Sequence, residues 1–596
     1  MATSFIHPSL ILIFGALLLP LIKEPFRKIY LCGVPLLTFL DVLYLNWHPG
    51  MHGVVTFMGD WTLTFGRVDN LSMIFAFIMS LMAIIGTVYG LHVKDDVEHI
   101  AAWFYVSGSL GVIYSGDYLV LFLFWELMAF ASTFLIWFNK DAGSLAAGYR
   151  YLLVHTFGGV LLLLGFVLRY QATGDLSFVQ LDEQNTQLFT WLIMAGLMLN
   201  AAVPPLHSWL PDAYSKATIT GAVFMCAFTT KTAVYTLARA FAGFDILIVL
   251  GVIMAIYGII YAMMENDIRR LLGWEIVSQV GYMVAGVGIG TALAINGTCA
   301  HAFAHILYKG LLFMAAGAVM YATGKSKFTD LGGLYRKMPN TLFFLVIGGI
   351  SVSAFPFFSG FVSKSMIISA SFESHQMVAG FLLTMVSVGT FLVAGLRLPY
   401  LIFFGEDRCS EQTKAAAADP PWNMHMAMAA AAFFCFVIGS YLPFLYEMLP
   451  YKEVSYHPYS GYHLSETLQI LAFTAVAFIF LKDKLGARPT ISLDLDWFYR
   501  MAGRGFLWLA QNPIQWLDTV WGVAYRVVGL YSLMTTAKFS SWFDWHGIDG
   551  VVDGSARCIR AIGRRVTIVL QRGQIQQTLY YSITFAAILL FSYVWL

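Results

Sequence analysis

Charge is scarce in this chain. Only 12% of its 596 residues are Asp, Glu, Lys or Arg, against about 25% in soluble domains. Hydrophobic residues make up 59% and mean hydropathy is +0.71. Together these exclude an ordinary soluble domain and mark a polytopic membrane protein. A net charge of +1 offers no basic surface for nucleic acid. The six cysteines, Cys32, Cys226, Cys299, Cys409, Cys435 and Cys558, show no CxxC or ligand-like spacing, so neither a disulfide framework nor an iron–sulfur cluster is indicated. No nucleotide, quinone or cluster motif appears, so no cofactor, metal, redox or hydrolytic site is expected here. The first residues lack the basic region of a signal peptide, and 8–22 is therefore read as a retained first helix.

Long apolar runs, by contrast, are plentiful. They fall near 8–22, 29–46, 71–92, 99–114, 117–138, 148–170, 187–210, 219–241, 244–263, 270–290, 292–322, 341–370, 376–404, 424–446, 464–481 and 578–595. The expected architecture is all-α, with about 16 transmembrane helices. If the Lys23–Lys28 loop is cytoplasmic, alternate loops carry most of the lysine and arginine, including Lys94, Lys140, Arg269, Lys337 and Lys482. The opposite loops hold little beyond Arg67 and Lys452. The positive-inside rule then puts both termini outside.

Two spans are interrupted by proline, at Ala202-Val203-Pro204-Pro205-Leu206-His207 and at Ser353-Ala354-Phe355-Pro356-Phe357-Phe358-Ser359-Gly360. Freed backbone groups at membrane depth are tolerable only against protein or water. Two broken helices five spans apart point to two inverted five-helix repeats, 99–241 and 242–405, although a plain kink accounts for either break alone. Residues 1–98 would form N-terminal helices with an outer loop, and 406–489 accessory helices. The stretch 490–577 mixes Trp497, Trp508, Trp516 and Trp521 with Arg500, Arg504 and Asp518. It reads as an amphipathic helix lying laterally on the cytoplasmic surface, or else as a compact soluble extension. Residues 578–596 would be the final span.

Ionisable residues inside these runs are the candidate site. His301, His305 and Lys309 stand at four-residue steps, which drift by only about 40° each and so line one helix face. Glu126, Lys231 and Lys364 lie in three other spans, and Glu275 near the start of a fourth. A central charge costs roughly 2.5–3.5 kcal/mol on insertion scales, so such residues read as a proton or cation route. Glu and Lys shift each other's proton affinity when they pair, and histidine relays protons near neutral pH. The plainer alternative is ion pairs that tie helices together.

Several stretches carry a family resemblance: Val68-Asp-Asn-Leu-Ser72, Phe124-Trp-Glu126-Leu-Met128, Pro205-Leu-His-Ser-Trp-Leu-Pro-Asp-Ala213, Lys231-Thr-Ala-Val-Tyr235, His301-x3-His305-x3-Lys309, Asp330-Leu-Gly-Gly-Leu334 and Phe358-Ser-Gly-Phe-Val-Ser-Lys364. With these the chain resembles the antiporter-like subunits shared by Mrp-type sodium/proton antiporters, respiratory complex I and membrane-bound hydrogenases. The wording around Ser278-Gln-Val-Gly-Tyr-Met looks closest to the D-type Mrp subunits. More loosely, the 542–581 segment looks like the tail of the largest antiporter-like subunit of complex I.

The resemblance implies roles. Glu126 and Lys231 would belong to a first half-channel, His301, His305 and Lys309 to the central link, and Lys364 to the terminal proton-exchanging site. It departs at Asn200, where the family usually has a lysine that pairs with the glutamate; Lys231 is then the candidate partner for Glu126. Glu275 is a second departure.

The implied function is a proton-translocating, sodium/proton-exchanging subunit of a hetero-oligomeric complex in a bacterial inner membrane. Alternatives are the pumping subunit of a complex I-like oxidoreductase or energy-converting hydrogenase, and the anchor of an inorganic-carbon uptake assembly.

Overall fold

The computed structural model describes residues 5–59, 61–489, 493–570, 573 and 575–595. The chain is a mostly helical multi-pass membrane protein that forms two compact units, Met1–Leu495 and Asp496–Leu596. Among the described residues, eleven helices are long and apolar enough to cross a bilayer. The other five expected spans are helical too, but less complete. Pro8–Leu21, Leu188–Asn200 and Pro339–Val352 are short. Asp96–Tyr114 begins with acidic residues, and the run at 219–241 is split into Ile219–Ala227 and Thr229–Ala240.

The all-α expectation needs one correction. The expected outer loop before residue 70 contains an antiparallel hairpin, Gly50–Phe57 against Trp61–Val68. Its turn passes through Met58 and Gly59 at φ +45° and +89°, a handedness that matches the twist of paired strands. Thr, Val, Phe and Trp suit the pleated surface, and Leu63, Gly66 and Val68 on the second strand are buried.

Two stretches of the first unit have the same layout. In one, Asp117 caps Tyr118–Trp137 through Val120 N–H at 2.8 Å. The 32-residue helix Ala142–Thr173 follows, closed by Gly174 at φ +68°. In the other, Asp267 caps Ile268–Ile289 through Arg270 N–H at 3.0 Å, followed by the 32-residue helix Ala292–Thr323 and Gly324 at φ +66°. The left-handed closing residue suits glycine, which has no Cβ to clash. Asp117 bridges to Ser177 and Asp267 to Lys327. The two long helices begin at 142 and 292 and end at 173 and 323, an offset of 150 residues at both ends.

Both proline-marked interruptions are real. The first separates Leu188–Asn200 from Trp209–Lys216, the second Pro339–Val352 from Ser359–Glu373. Each turns through an alanine in the left-handed region, Ala202 and Ala354, both at φ +59°.

The core of the first unit lies around Ile268–Ile289 and Ala292–Thr323, each 94% buried over its most apolar window, whereas Gly461–Leu481 is 17% buried. Glu275 and Lys309, in the middle of these helices, are therefore enclosed by protein.

The second unit contains Asp496–Leu509, Gln515–Ala524, Ser532–Phe543 and Asp549–Leu570, joined through π-helical turns, and then Ile575–Trp595. None of these helices has a buried residue among the described ones. Trp508, Trp516, Trp521 and Trp545 are all exposed. Residues 490–492, 571, 572 and 574 of the expected lateral segment lie outside the described residues.

Candidate functional site

The row begins on the central helix. His301, His305 and Lys309 have no exposed surface. His301 Nδ1 is 3.2 Å from Ser363 Oγ, and its Nε2 is 3.4 Å from Tyr308 Oη. The His301 and His305 rings are 6.2 Å apart, and His305 has no hydrogen-bond partner on either nitrogen among the described residues. A buried ring with two orphaned nitrogens has capacity for a proton and for water.

Lys309 Nζ donates to Glu275 Oε2 at 2.5 Å, and neither side chain is exposed. In a fully enclosed ion pair Coulomb attraction offsets much of the lost hydration, and removal of one partner strands the other. Sequence reasoning placed Glu275 near a helix start, outside the row. Its partner lies 34 residues away, so no local spacing signals it.

Lys231 and Lys364 are held in a common way. Thr229–Ala240 is cut from Ile219–Ala227 at Phe228, which leaves the last carbonyls of the preceding helix without amide partners. Lys231 Nζ donates to one of them, Cys226 O, at 2.6 Å and to Thr230 Oγ1 at 3.1 Å. Lys364 Nζ donates to Val352 O at 3.0 Å, at the end of the broken helix Pro339–Val352, and sits 5.1 Å from the Tyr282 ring centroid. A helix C-terminus carries partial negative charge and attracts a cation. A neutral amine still has N–H groups to donate to the same carbonyl. Either lysine can thus release a proton without orphaning its partner.

Glu126 does not pair with Lys231, which corrects that expectation: the ammonium is already engaged by Cys226 and Thr230. Glu126 is half-buried on Tyr118–Trp137, and its Oε1 has no partner among the described residues. It lies over Gly159, where an added Cβ would collide with that oxygen. Asn200 also has both amide atoms unpartnered among the described residues.

A cavity of about 470 Å³ adjoins Lys364. Ser353, Ser369, Thr384, His463 and Glu466 line it, and it reaches the exposed His457 and Tyr462. Its volume and the hydroxyl, imidazole and carboxyl groups on its wall leave room for water.

Sequence reasoning also missed an anchor outside the row. Asp494 is within 3.2 Å of His207 Nε2 and accepts a 2.6 Å hydrogen bond from Tyr257 Oη. It ties the segment after Gly461–Leu481 to the first broken helix. Burial alone would raise the Asp494 carboxyl, but contact with His207 and the Tyr257 and Ser208 hydroxyls outweighs it and holds it down at about 2.

Comparison with known proteins fits this geometry. Residues 115–392 match the family described as NADH:quinone oxidoreductase/Mrp antiporter, TM. The chain is 30% identical over 410 residues to the A-type Na(+)/H(+) antiporter subunit of Alkalihalophilus pseudofirmus, covering 61% of this chain and 51% of that protein. It is 28% identical over 467 residues to the A1-type Na(+)/H(+) antiporter subunit of Staphylococcus aureus, covering 69% and 58%. The chain thus spans about half the length of the curated relatives it matches, and these are named as A-type chains, not D-type.

Two solved structures share the fold, each with a TM-score of 0.66. One is the membrane-bound sulfane sulfur reductase, an archaeal respiratory membrane complex, at 23% identity over 78% of this chain and 98% of that one. The other is the Mrp complex from Dietzia sp. DQ12-45-1b, at 19% identity over 80% and 98%. Sequence match and fold agree: residues 115–392 of this chain are similar to the NADH:quinone oxidoreductase/Mrp antiporter family, within a membrane fold of the same kind.

Proposed function

We propose that this chain is a proton-translocating subunit of a multi-subunit membrane complex and that it exchanges protons for sodium. The observation that carries the reading is the enclosed row formed by Lys231, His305, His301, the Lys309–Glu275 pair and Lys364, all at most 1% exposed. Buried charges this numerous are costly, and a purely structural role would pair each of them. Here Lys231 and Lys364 rest on neutral carbonyls, and His305 has no partner among the described residues. The antiporter names of the curated relatives support the same reading.

Protons would enter the row from Glu126 and Lys231, cross at His305 and His301, and leave through Lys364 into its adjoining cavity. Protonation at one end of the Lys309–Glu275 pair would weaken it and alter the charge felt by the next group. Sixteen spans in two inverted five-helix repeats, 99–241 and 242–405, accommodate this path, and the 150-residue offset between the two long helices supports the repeat. In the inner membrane with both termini outside, as loop charge favours, the Lys364 cavity would open outward. Residues 1–98, 406–489 and 490–577 would serve as N-terminal, accessory and lateral parts, and the unburied tryptophans of the last are suited to neighbouring chains of the complex.

A second reading, the pumping subunit of a redox-driven complex, is favoured by the fold shared with the sulfane sulfur reductase complex. An anchoring role in carbon uptake is the non-transport alternative.

The test is transport by the intact complex, purified through a tag on this chain and reconstituted in vesicles with a sodium gradient. Lys364→Ala and Glu126→Ala should each abolish sodium-driven pH change. Normal transport in both variants, with all partners co-purifying, would sink the reading.

A further inference from the structure

The matched layout of the two long helices assigns a partner to each residue of the central row. With the common offset of 150 residues, His305 corresponds to His155, Lys309 to Gly159 and His301 to Tyr151. Glu275 and Glu126 stand at nearly the same offset on the preceding helices, Ile268–Ile289 and Tyr118–Trp137. The contacts agree with this register. Glu275 meets Lys309 in one stretch, and Glu126 lies over Gly159 in the other. The first stretch therefore keeps the glutamate and the histidine of the second but has no lysine at the matching place.

His155 has the same character as His305. It is 1% exposed, and both ring nitrogens lack a partner among the described residues. Its ring packs 4.0 Å from that of Tyr151 and 4.5 Å from that of Trp209. Asn200 approaches it from the first broken helix. Gly159 is one turn further along the same helix face, and Glu126 Oε1 lies over it, so along this face the carboxyl and the ring stand one turn apart. On the far side, Tyr151 Oη is 2.9 Å from Ser132 Oγ and reaches toward Thr229. Thr229 Oγ1 is 2.6 Å from Tyr105 Oη, and the neighbouring Thr230 hydroxyl holds Lys231 Nζ.

We propose that His155 is the proton-carrying residue of the first repeat, standing between Glu126 and the hydroxyl run that ends at Lys231. The inference rests on the transport reading above. A proton released by the Glu126 carboxyl binds one ring nitrogen, and the imidazolium gives up the proton on its other nitrogen. The ring is left neutral as the opposite tautomer, and a ring flip resets it. The groups around His155 are Tyr151 on its own helix and Asn200 and Trp209 from the broken helix, with Glu126 one turn along at Gly159. Among these only Glu126 and Tyr151 titrate, so the histidine supplies the basic group that Asn200 cannot.

The experiment uses the same intact complex and sodium-driven proton flux. His155→Gln should lower the rate at least tenfold with partners still co-purifying, and Asn200→Lys in that background should restore it to within about threefold of the unaltered chain. A rate for His155→Gln within twofold of the unaltered complex would overturn the inference. If the glutamine variant fails to assemble, Asn200→Lys alone decides. A lysine beside the ring disfavours the imidazolium, so the acid limb of the rate-against-pH curve should move to lower pH by at least half a unit. An unmoved limb would overturn the inference. Retained transport in Lys364→Ala and Glu126→Ala would instead remove the functional reading itself; loss in those two with normal His155→Gln removes the histidine alone.

Discussion

Lys309 Nζ and Glu275 Oε2 meet at 2.5 Å with no exposed surface on either side chain. Two adjacent central helices are thereby joined through a charge pair at the most enclosed place in the fold. The pair has a clear consequence. Lys309→Met would leave the Glu275 carboxyl buried without a cation, a change that costs about 3–5 kcal/mol where it has been measured. The single variant should lower the thermal midpoint of the purified complex markedly, whereas the double variant Lys309→Met with Glu275→Leu should recover most of the stability and none of the transport. Equal midpoints for the single variant and the unaltered protein would show that the two charges are not coupled.

Gly159 offers a functional probe with little structural cost. A methyl group there would collide with Glu126 Oε1, the far end of a flexible side chain that can swing away. Gly159→Ala should therefore keep a melting temperature within a few degrees while proton flux drops about tenfold, because the carboxylate has left the helix face that carries His155. Flux at the original level would mean that Glu126 works from elsewhere.

Asp69 predicts an acid limit to stability. The carboxylate caps the helix Asn70–Tyr89 and receives Arg239 Nη1 and Nη2 at 2.8 and 2.7 Å, with Arg67 Nε at 3.1 Å. Burial pushes its proton affinity up, but the Arg239 hydrogen bonds and charge, with Ser72 N–H and Arg67, win and hold it at about 2, below the ordinary 3.8. A depressed carboxyl contributes stability that is complete above its unfolded value and is lost as pH falls through the folded one. The contribution should thus be intact at pH 5 and fade from about pH 4 to pH 2. Asp69→Asn should flatten that part of the stability-against-pH curve, and its thermal midpoint should approach that of the unaltered protein only at the acid end.

Asp494→Asn tests the anchor beneath the first broken helix. Asparagine retains an acceptor for the Tyr257 hydroxyl but loses the charge beside His207. Cleavage by a protease in the stretch between Leu481 and Asp496 should become several-fold faster, with the rest of the first unit still protected. An unchanged cleavage rate would show that the carboxylate does not restrain this stretch.

Much of the fold could be read in the sequence because lipid imposes a simple rule. A backbone with no water must bond to itself, so each long apolar run becomes a helix, and proline pairs such as Pro204-Pro205 mark where one stops. The same rule made Glu126, Lys231, His301, His305, Lys309 and Lys364 conspicuous. The hairpin before residue 70 was hidden because its alternation sits among polar turn residues outside the long runs, where helix and loop readings compete. The split at Phe228 was hidden because neither proline nor glycine marks it.

What the sequence by itself determined, then, was which segments form apolar helices and which charges those helices carry. Which charge meets which was decided only in three dimensions. Glu275 found Lys309, Lys231 found the Cys226 carbonyl instead of Glu126, and Glu126 settled over Gly159. The physical reason is that hydropathy is a property of one segment, whereas an ion pair depends on the rotation and depth of two. Both are set by the packing of helices that lie far apart along the chain.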